Sequence, residues 1–451
     1  MITRTIDKRL QAFRDNREKK ALLITGARQT GKTYSVRELG KSYASCIEIN
    51  FLENPSAQQI FTGFSDASDL LLRISAVAKK PLIPGKTLIF FDEVQECQEI
   101  VTAVKFLVDE GSYQYILSGS LLGVELNDIR SYPLGYMDVI QMYPLDFGEF
   151  IRANGVSDAI IQKLEISFSE KKPVDSVIHE KMIDLFRLYL IVGGMPAVVD
   201  TYLKTNDIRR VIEEQNAIIS LFKKDITRYN REYKLYIEEV FTTIPMELNR
   251  KNKRFIISDL GKGVHYQRLE NSFLWVKNAG VALPVYSAEE PVAPLKLSGS
   301  VNLFKLFLCD TGLLSAMYMD GIQLRILNKE ADINFGSVYE NAAAQELAAH
   351  GFDLYYFNNK KQGELDFVLE RGGAVLPVEI KSGKDFARHR ALSNVLANPD
   401  YGICEAFVFC NDNVCVKGKI TYLPVYMLMF LKKDVLPEKM VYKVDLKGLG
   451  A

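Results

Sequence analysis

The chain has 451 residues, 48% hydrophobic and 25% charged, which excludes a disordered polymer and implies about two to four folded domains. Lysine plus arginine and aspartate plus glutamate come to 56 each, so no global positive field exists and any nucleic-acid contact needs a local basic patch. The six cysteines form no C-x-x-C pair and only four histidines are present, which argues against structural zinc and for reduced thiols in a cytoplasmic protein.

Met1 to Leu10 is charged throughout and lacks the apolar core of a signal peptide. Ala21-Leu22-Leu23-Ile24-Thr25 then reads as a buried strand leading into Gly26-Ala27-Arg28-Gln29-Thr30-Gly31-Lys32-Thr33, which fits G-x-x-x-x-G-K-[ST]. A helical pattern follows through Val36 and Leu39, the strand, loop and helix order that a phosphate-binding loop requires. Gly26, Arg28, Gln29, Thr30, Gly31, Lys32, Thr33 and Tyr34 are the expected nucleotide contacts. Lys32 reaches the β- and γ-phosphates, and the Thr33 hydroxyl takes magnesium.

A second strand, Thr87 to Phe91, ends in Asp92-Glu93, an acidic pair suited to holding magnesium through Asp92 and polarising water through Glu93. A third, Tyr113 to Leu117, ends in Ser118-Gly119-Ser120. Its serines fit either a γ-phosphate sensor or ordinary turn residues.

Phe147 to Tyr229 carries apolar residues at helical spacing (Ile183, Phe186 and Leu190; Ile212, Ile219 and Phe222) and predicts a helical lid. Gly193, Gly194 and Pro196 interrupt its longest apolar run, Tyr189 to Val199, leaving it far short of the ~20 residues that span a bilayer. The two glycines fit a turn or a nucleotide-sensing element. Leu235 to Leu248, Ser258-Asp259-Leu260-Gly261, and His265 to Ala279 then read as helices, and Val281 to Tyr286 as a strand or wing. That set predicts a winged helix. As a DNA reader it would offer Gln267, Arg268, Asn271 and Lys277 to the major groove, with Arg250, Lys251, Lys253 and Arg254 on phosphates. As a packing or dimer module it would need none of them.

In the last third, Glu340 lies on a helix from Phe335 to Leu347, Asp366 on a strand from Gly363 to Leu369, and Glu379 and Lys381 on the strand that follows the Arg371-Gly372-Gly373 turn. Residues 379 and 381 share a strand face. The D…E-x-K arrangement matches restriction-endonuclease-like cores, with Glu340, Asp366 and Glu379 as magnesium ligands and Lys381 beside the attacking water. Cross-strand ion pairs among Glu364, Asp366, Glu379 and Lys381 are the alternative. Arg388 and His389 suit a phosphate backbone or a plain surface role.

The runs Ile24 to Thr33, Phe90 to Gln95, Leu117 to Leu122, Tyr143 to Phe150 and Gly193-Gly194-Met195-Pro196 resemble a family of prokaryotic AAA-type ATPases with a C-terminal domain related to restriction endonucleases. The resemblance covers nearly the whole chain. That family often has Gly-Arg where this chain has Gly135-Tyr136, which leaves Arg130 and Arg187 as candidates for a finger or sensor. The expected fold is α/β: a P-loop AAA-type core (1–145), a helical lid (146–230), a winged-helix module (231–325) and a restriction-endonuclease-like domain (326–451). The expected function is ATP binding and hydrolysis with Mg²⁺, acting on double-stranded DNA, with a metal-dependent nuclease in the C-terminal domain. The alternatives are a nucleotide-switched DNA- or protein-binding regulator with a silent nuclease-like domain, and an antitoxin-like or chaperone-like ATPase without DNA affinity. ATP and ADP are the expected ligands, a homo-oligomer is left open, and no membrane is involved.

Overall fold

The computed structural model describes residues 2–16, 19–120, 135–228, 234–250, 252–256, 266–318, 321–328, 336–434 and 440–444. Arg130, Lys251, the Ser258–Gly261 segment and His265 lie outside them, as do the side chains of Gln267 and Arg268.

Five strands form the first sheet: β1 (Ala21–Thr25), β2 (Ser45–Asn50), β3 (Thr87–Asp92), β4 (Gln114–Gly119) and β5 (Met137–Gln141). Their order is β2-β3-β4-β1-β5 and all neighbours run parallel. Helices cover both faces of such a sheet, which is why β3 is buried along its whole length and reads as an unbroken apolar run. The period of two sorts the side chains between the faces. Leu23, Ile89, Phe91, Tyr115 and Leu117 pack with the helices Ala67–Val77 and Glu99–Glu110, while Leu22, Ile24, Leu88, Phe90 and Ile116 pack with Leu10, Val36 and Leu39.

The segment expected as a lid is helical, with helices at Phe147–Ala153, Asp158–Ser169, Ser176–Val192, Pro196–Thr205 and Ile208–Arg228. It is not a separate body, however. One apolar cluster runs from Leu145 through Phe186, Phe222 and Val276 to Phe367 and Met427. Gly193 and Gly194 stand where this packing is tightest. A Cβ on Gly194 would lie 2.1 Å from the Leu145 carbonyl oxygen, and one on Gly193 would lie 2.2 Å from Asp310 Oδ1. Close backbone approach therefore accounts for both glycines.

The second sheet has eight strands: β6 (Ala282–Ala288), β7 (Gly299–Leu308), β8 (Tyr355–Asn359), β9 (Gly363–Arg371), β10 (Ala374–Ile380), β11 (Ala406–Cys410), β12 (Cys415–Lys417) and β13 (Ile420–Pro424). Their order is β12-β13-β11-β10-β9-β8-β6-β7. Here the structure corrects the sequence reading. The strand expected as a wing, β6, pairs parallel with β8 and antiparallel with β7 inside this sheet. Its burial explains why: five of its seven residues are buried, whereas a wing keeps one face in water. A boundary between 325 and 326 consequently cuts through one sheet. The β9–β10 hairpin turns through Gly372 (φ 59°) and Gly373 (φ 74°), with Arg371 opposite Ala374. Two positive φ angles in a two-residue loop are the twist-matched hairpin geometry, open to glycine at little cost.

A buried polar junction joins the two sheets through the helix Gly336–Ala349. Asp146 and Glu149 form a capping box on Phe147–Ala153, which satisfies two of that helix's unpaired N–H groups. His350 Nε2 lies 3.8 Å from Asp146 and 3.9 Å from Glu346. Glu346 Oε1 accepts from the Phe147 amide (2.5 Å) and the Tyr189 hydroxyl (3.2 Å). Burial, then the Asp146 charge, push the Glu346 carboxyl up to about 8. Against its burial, Asp146 holds the His350 imidazole above its ordinary value. The Glu346 carboxyl keeps a proton in the fold that it releases when unfolded at neutral pH, so its contribution to stability is lost as pH rises, and the raised His350 imidazole acts with the same sign. Thermal stability is expected to fall as pH rises from the ordinary carboxylate value of 4.5 to about 8, and Glu346→Gln, which cannot ionise, should flatten that slope. Unfolding scans across this range check it, and an unchanged slope would contradict the assignment.

Candidate functional site

The phosphate loop is shaped by residues on both sides of it. Gly26 has φ 139°, and a Cβ there would lie 2.1 Å from the Met142 carbonyl oxygen. Gly31 caps the helix Lys32–Gly40 with φ 95°, and Gln29 also has positive φ, at 66°. Such alternation turns successive N–H groups toward one concavity, where helix-end partial charge favours an anion. Lys32 Nζ donates to the Gly26 (2.9 Å) and Ala27 (2.8 Å) carbonyl oxygens, and burial draws its pKa down to about 8. A buried ammonium resting on carbonyl oxygens is a fit partner for a phosphate.

Asp92 closes the site. The Thr33 hydroxyl donates to its Oδ2 at 2.9 Å, Asn50 Nδ2 donates to the same oxygen at 3.1 Å, and the Ser118 hydroxyl donates to Oδ1. Burial raises the Asp92 pKa despite these donors. Thr33 and Asp92 thus face each other at the distance from which both can reach one magnesium ion. Glu93 takes a left-handed conformation, φ 54°, unusual for a residue with a side chain. Its carboxylate accepts from Gln95 Nε2 at 2.5 Å. Thr30 bonds back to the Ala27 carbonyl at 2.9 Å, and Tyr34 is 49% exposed on the first helical turn.

Several neighbours of this site escaped the sequence reading. Asn50 ends β2 directly opposite Asp92 in the parallel register, a relation visible only once strand order is known. Arg4, buried, donates to the Thr30 carbonyl (2.9 Å), Glu149 (3.0 Å) and the Tyr143 carbonyl (2.8 Å). Arg28 Nη1 lies 2.8 Å from Asp225 Oδ1 on the helix Ile208–Arg228, and its Nε donates to the Ser120 hydroxyl at 3.3 Å. A Cβ on Gly280 would lie 2.8 Å from the Ala27 nitrogen, so the turn into β6 rests on the loop itself. Arg187 pairs with Asp184 at 2.8 Å, an i,i+3 contact along its own helix.

The structure also gathers the C-terminal constellation. Glu340, Asp366, Glu379 and Lys381 come together, and Lys253 and Lys305 join them. Lys381 bonds Glu379 and lies 3.9 Å from Asp366; Lys253 bonds Glu340; Lys305, fully buried, lies 2.6 Å from Glu364. Asp366 Oδ2 accepts from the Ile380 amide at 2.9 Å. Against the cost of burial, the Lys381, Lys305 and Lys253 charges hold Asp366 below its usual range. Burial and then Asp366 raise both Glu340 and Glu379. Three ammonium groups thereby neutralise most of this acidic set, and among the described residues no cluster of three or more His, Cys, Asp or Glu is disposed to hold a metal. Glu340 Oε2 nevertheless has no hydrogen-bond partner.

Of the basic residues expected on DNA phosphates, Lys253, Arg254 and Arg250 each engage a partner within the chain. Lys253 meets Glu340, Arg254 donates to the Tyr356 hydroxyl at 3.0 Å, and Arg250 lies 3.1 Å from Glu247. Lys277 donates to the Tyr286 hydroxyl at 3.3 Å, while Asn271 is exposed. His389 pairs with the Tyr422 hydroxyl at 2.7 Å and Arg388 faces Asp385 at 3.6 Å on the surface.

Residues 18–151 match a family described as an AAA domain. Residues 183–327 and 335–428 match two domains of unknown function, DUF8612 and DUF4143. No curated protein matches the chain. Similar solved structures include the Walker-type ATPase PABY2304 of Pyrococcus abyssi, 15% identical, with 71% of this chain and 96% of that one covered and a TM-score of 0.44. The ORC1 protein of Aeropyrum pernix, in complex with DNA, is 12% identical over 72% of this chain and 95% of that one, with a TM-score of 0.29. Cdc6p from Pyrobaculum aerophilum is 10% identical over 73% and 96%, with a TM-score of 0.25. With the parallel sheet and the loop geometry, the first match makes residues 18–151 an AAA-type P-loop domain. Among the described residues no helix is long and apolar enough to cross a membrane.

Proposed function

We propose that this chain is an ATP-hydrolysing switch whose nuclease-like C-terminal part serves as a nucleotide-regulated binding platform. The observation that carries the ATPase reading is the meeting of Lys32, Thr33 and Asp92 beneath the loop, with Glu93 at the strand end. ATP binding moves Lys32 from the Gly26 and Ala27 carbonyls to the β- and γ-phosphates. Magnesium, held by Thr33 and Asp92, would neutralise charge on the phosphate oxygens. Glu93 orients a water in line with the γ-phosphorus and accepts its proton as the bond from the γ-phosphorus to the β-phosphate oxygen breaks, giving ADP and phosphate. A buried Asp92 with three side-chain donors and the Glu93 amide keeps its orientation through the cycle.

The platform reading rests on the lysines, since Lys253 and Lys381 pair with Glu340 and Glu379 and the Lys305 charge acts on Glu340 and Asp366, the carboxylates that a nuclease would offer to metal. A specific observation keeps a second reading, metal-dependent cleavage of double-stranded DNA. Glu340 Oε2 is buried without a partner, and Asp366 is close enough to raise the Glu340 pKa. Glu93→Gln is expected to lower ATP turnover about 100-fold while nucleotide still binds. Turnover at the wild-type rate would remove Glu93 from its role. On supercoiled and linear DNA with Mg²⁺ or Mn²⁺, the platform reading predicts no cleavage by wild type or by Lys381→Ala. Cleavage that disappears in Lys381→Ala would overturn it in favour of the nuclease.

A further inference from the structure

The P-loop carries an arginine that the ATPase chemistry above does not use. Arg28 is the third residue of the loop, next to Ala27, whose carbonyl oxygen holds Lys32 Nζ. Its Nε contacts Ser120, just beyond β4, while Ser118 at the end of that strand holds Asp92. The guanidinium therefore sits at the C-terminal end of β4, the same strand end from which Ser118 reaches Asp92. Yet its Nη1 lies 2.8 Å from Asp225 on the helix Ile208–Arg228, with side-chain exposures of 15% and 6%. Arg4 also reaches the loop, but through the Thr30 carbonyl, with Glu149 and the Tyr143 carbonyl holding its other nitrogens.

We propose that Arg28 is the residue that reads the triphosphate, and that Asp225 is its latch in the nucleotide-free protein. This rests on the ATP reading above. A γ-phosphate offers several anionic oxygens within reach of a planar guanidinium and outcompetes one carboxylate, whereas ADP lacks that group and leaves the latch closed. Once Arg28 leaves, Asp225 loses one counter-charge where its side chain is only 6% exposed, and the helix Ile208–Arg228 adjusts around it. The turn at Gly280 lies against Ala27 and leads into β6, which pairs with β8, which pairs with β9 and its Asp366. A change at Arg28 accordingly has a direct mechanical route into the second sheet.

The chain contains a single tryptophan, Trp275, which is 1% exposed and shares a small void with Arg28, Ser120, Phe222, Asp225 and Val281. Its emission reports on the latch. The test is tryptophan fluorescence of the full chain with magnesium and either ADP or a non-hydrolysable ATP analogue, alongside equilibrium dialysis of both nucleotides. In wild type the analogue is expected to shift Trp275 emission and ADP to leave it unmoved. Arg28→Ala should lose the analogue-specific shift, and nucleotide-free Asp225→Asn should already emit like the analogue-bound wild type. The latch is overturned if Arg28→Ala keeps the wild-type shift, or if bound ADP and bound analogue shift wild type alike. Failure of wild type to bind either nucleotide in dialysis would instead sink the ATP reading and the latch with it.

Discussion

Carboxylates buried between two sheets need donors, and Glu149, Asp310 and Glu346, with half-buried Asp146 beside them, impose that requirement at the centre of this molecule. Glu149 takes Arg4 and the Thr5 amide, and Arg4 in turn holds the Thr30 carbonyl in the phosphate loop. Asp310 takes the Gly194 amide at 2.6 Å and the Leu313 amide at 3.0 Å, and burial still pushes its pKa up to about 6. Glu346 takes the Phe147 amide, and Gln345 beside it donates to the Tyr189 hydroxyl at 2.9 Å. Each acid draws its donors from a different stretch of chain, so none of the elements can move without unpairing a buried polar group. The P-loop, the Leu145–Phe147 strand exit, Gly194 and the helix Gly336–Ala349 are thereby held as one frame.

That frame matters because Glu340 rides on the same helix as Glu346. The phosphate loop and the carboxylate–lysine cluster are thus two ends of one hydrogen-bonded assembly, with a second connection running from Ala27 through Gly280 into β6. The C-terminal cluster is balanced internally by lysines that come from three separate places: Lys253 before the helix Tyr266–Asn278, Lys305 on β7 and Lys381 after β10. Removing one partner from such a set leaves an uncompensated buried charge, so small displacements of β7 or β10 change how the remaining acids are exposed. The platform reading proposed above draws on this sensitivity.

The legible parts of the sequence were those whose chemistry is local. Gly26 to Thr33 declares itself because eight consecutive residues carry the whole phosphate-loop motif, and Asp92-Glu93 because an acidic pair ends an apolar strand. The β9–β10 hairpin was legible through Gly372 and Gly373, which its turn geometry demands. Long-range partnership was not. Lys253 and Arg254 look like phosphate contacts until Glu340 and Tyr356 appear beside them, 87 and 102 positions away. The sequence marked Val281 to Tyr286 as a strand or wing but cannot say which sheet receives it, and β8 begins only at Tyr355. Arg28 was readable as a loop residue, but its bond to Asp225 depends on where the helix Ile208–Arg228 packs.

The central claim is that the state of the nucleotide site is transmitted to the second sheet, and hydrogen exchange measures it most directly. Amide exchange would be followed over the helix Gly336–Ala349 and the β9–β10 hairpin, with and without magnesium and a non-hydrolysable ATP analogue. The account predicts that exchange in both segments changes when the analogue binds, along with the helix Ile208–Arg228. Protection confined to the phosphate loop and the ends of β3 and β4, with the second sheet unaltered at saturating analogue, would contradict it.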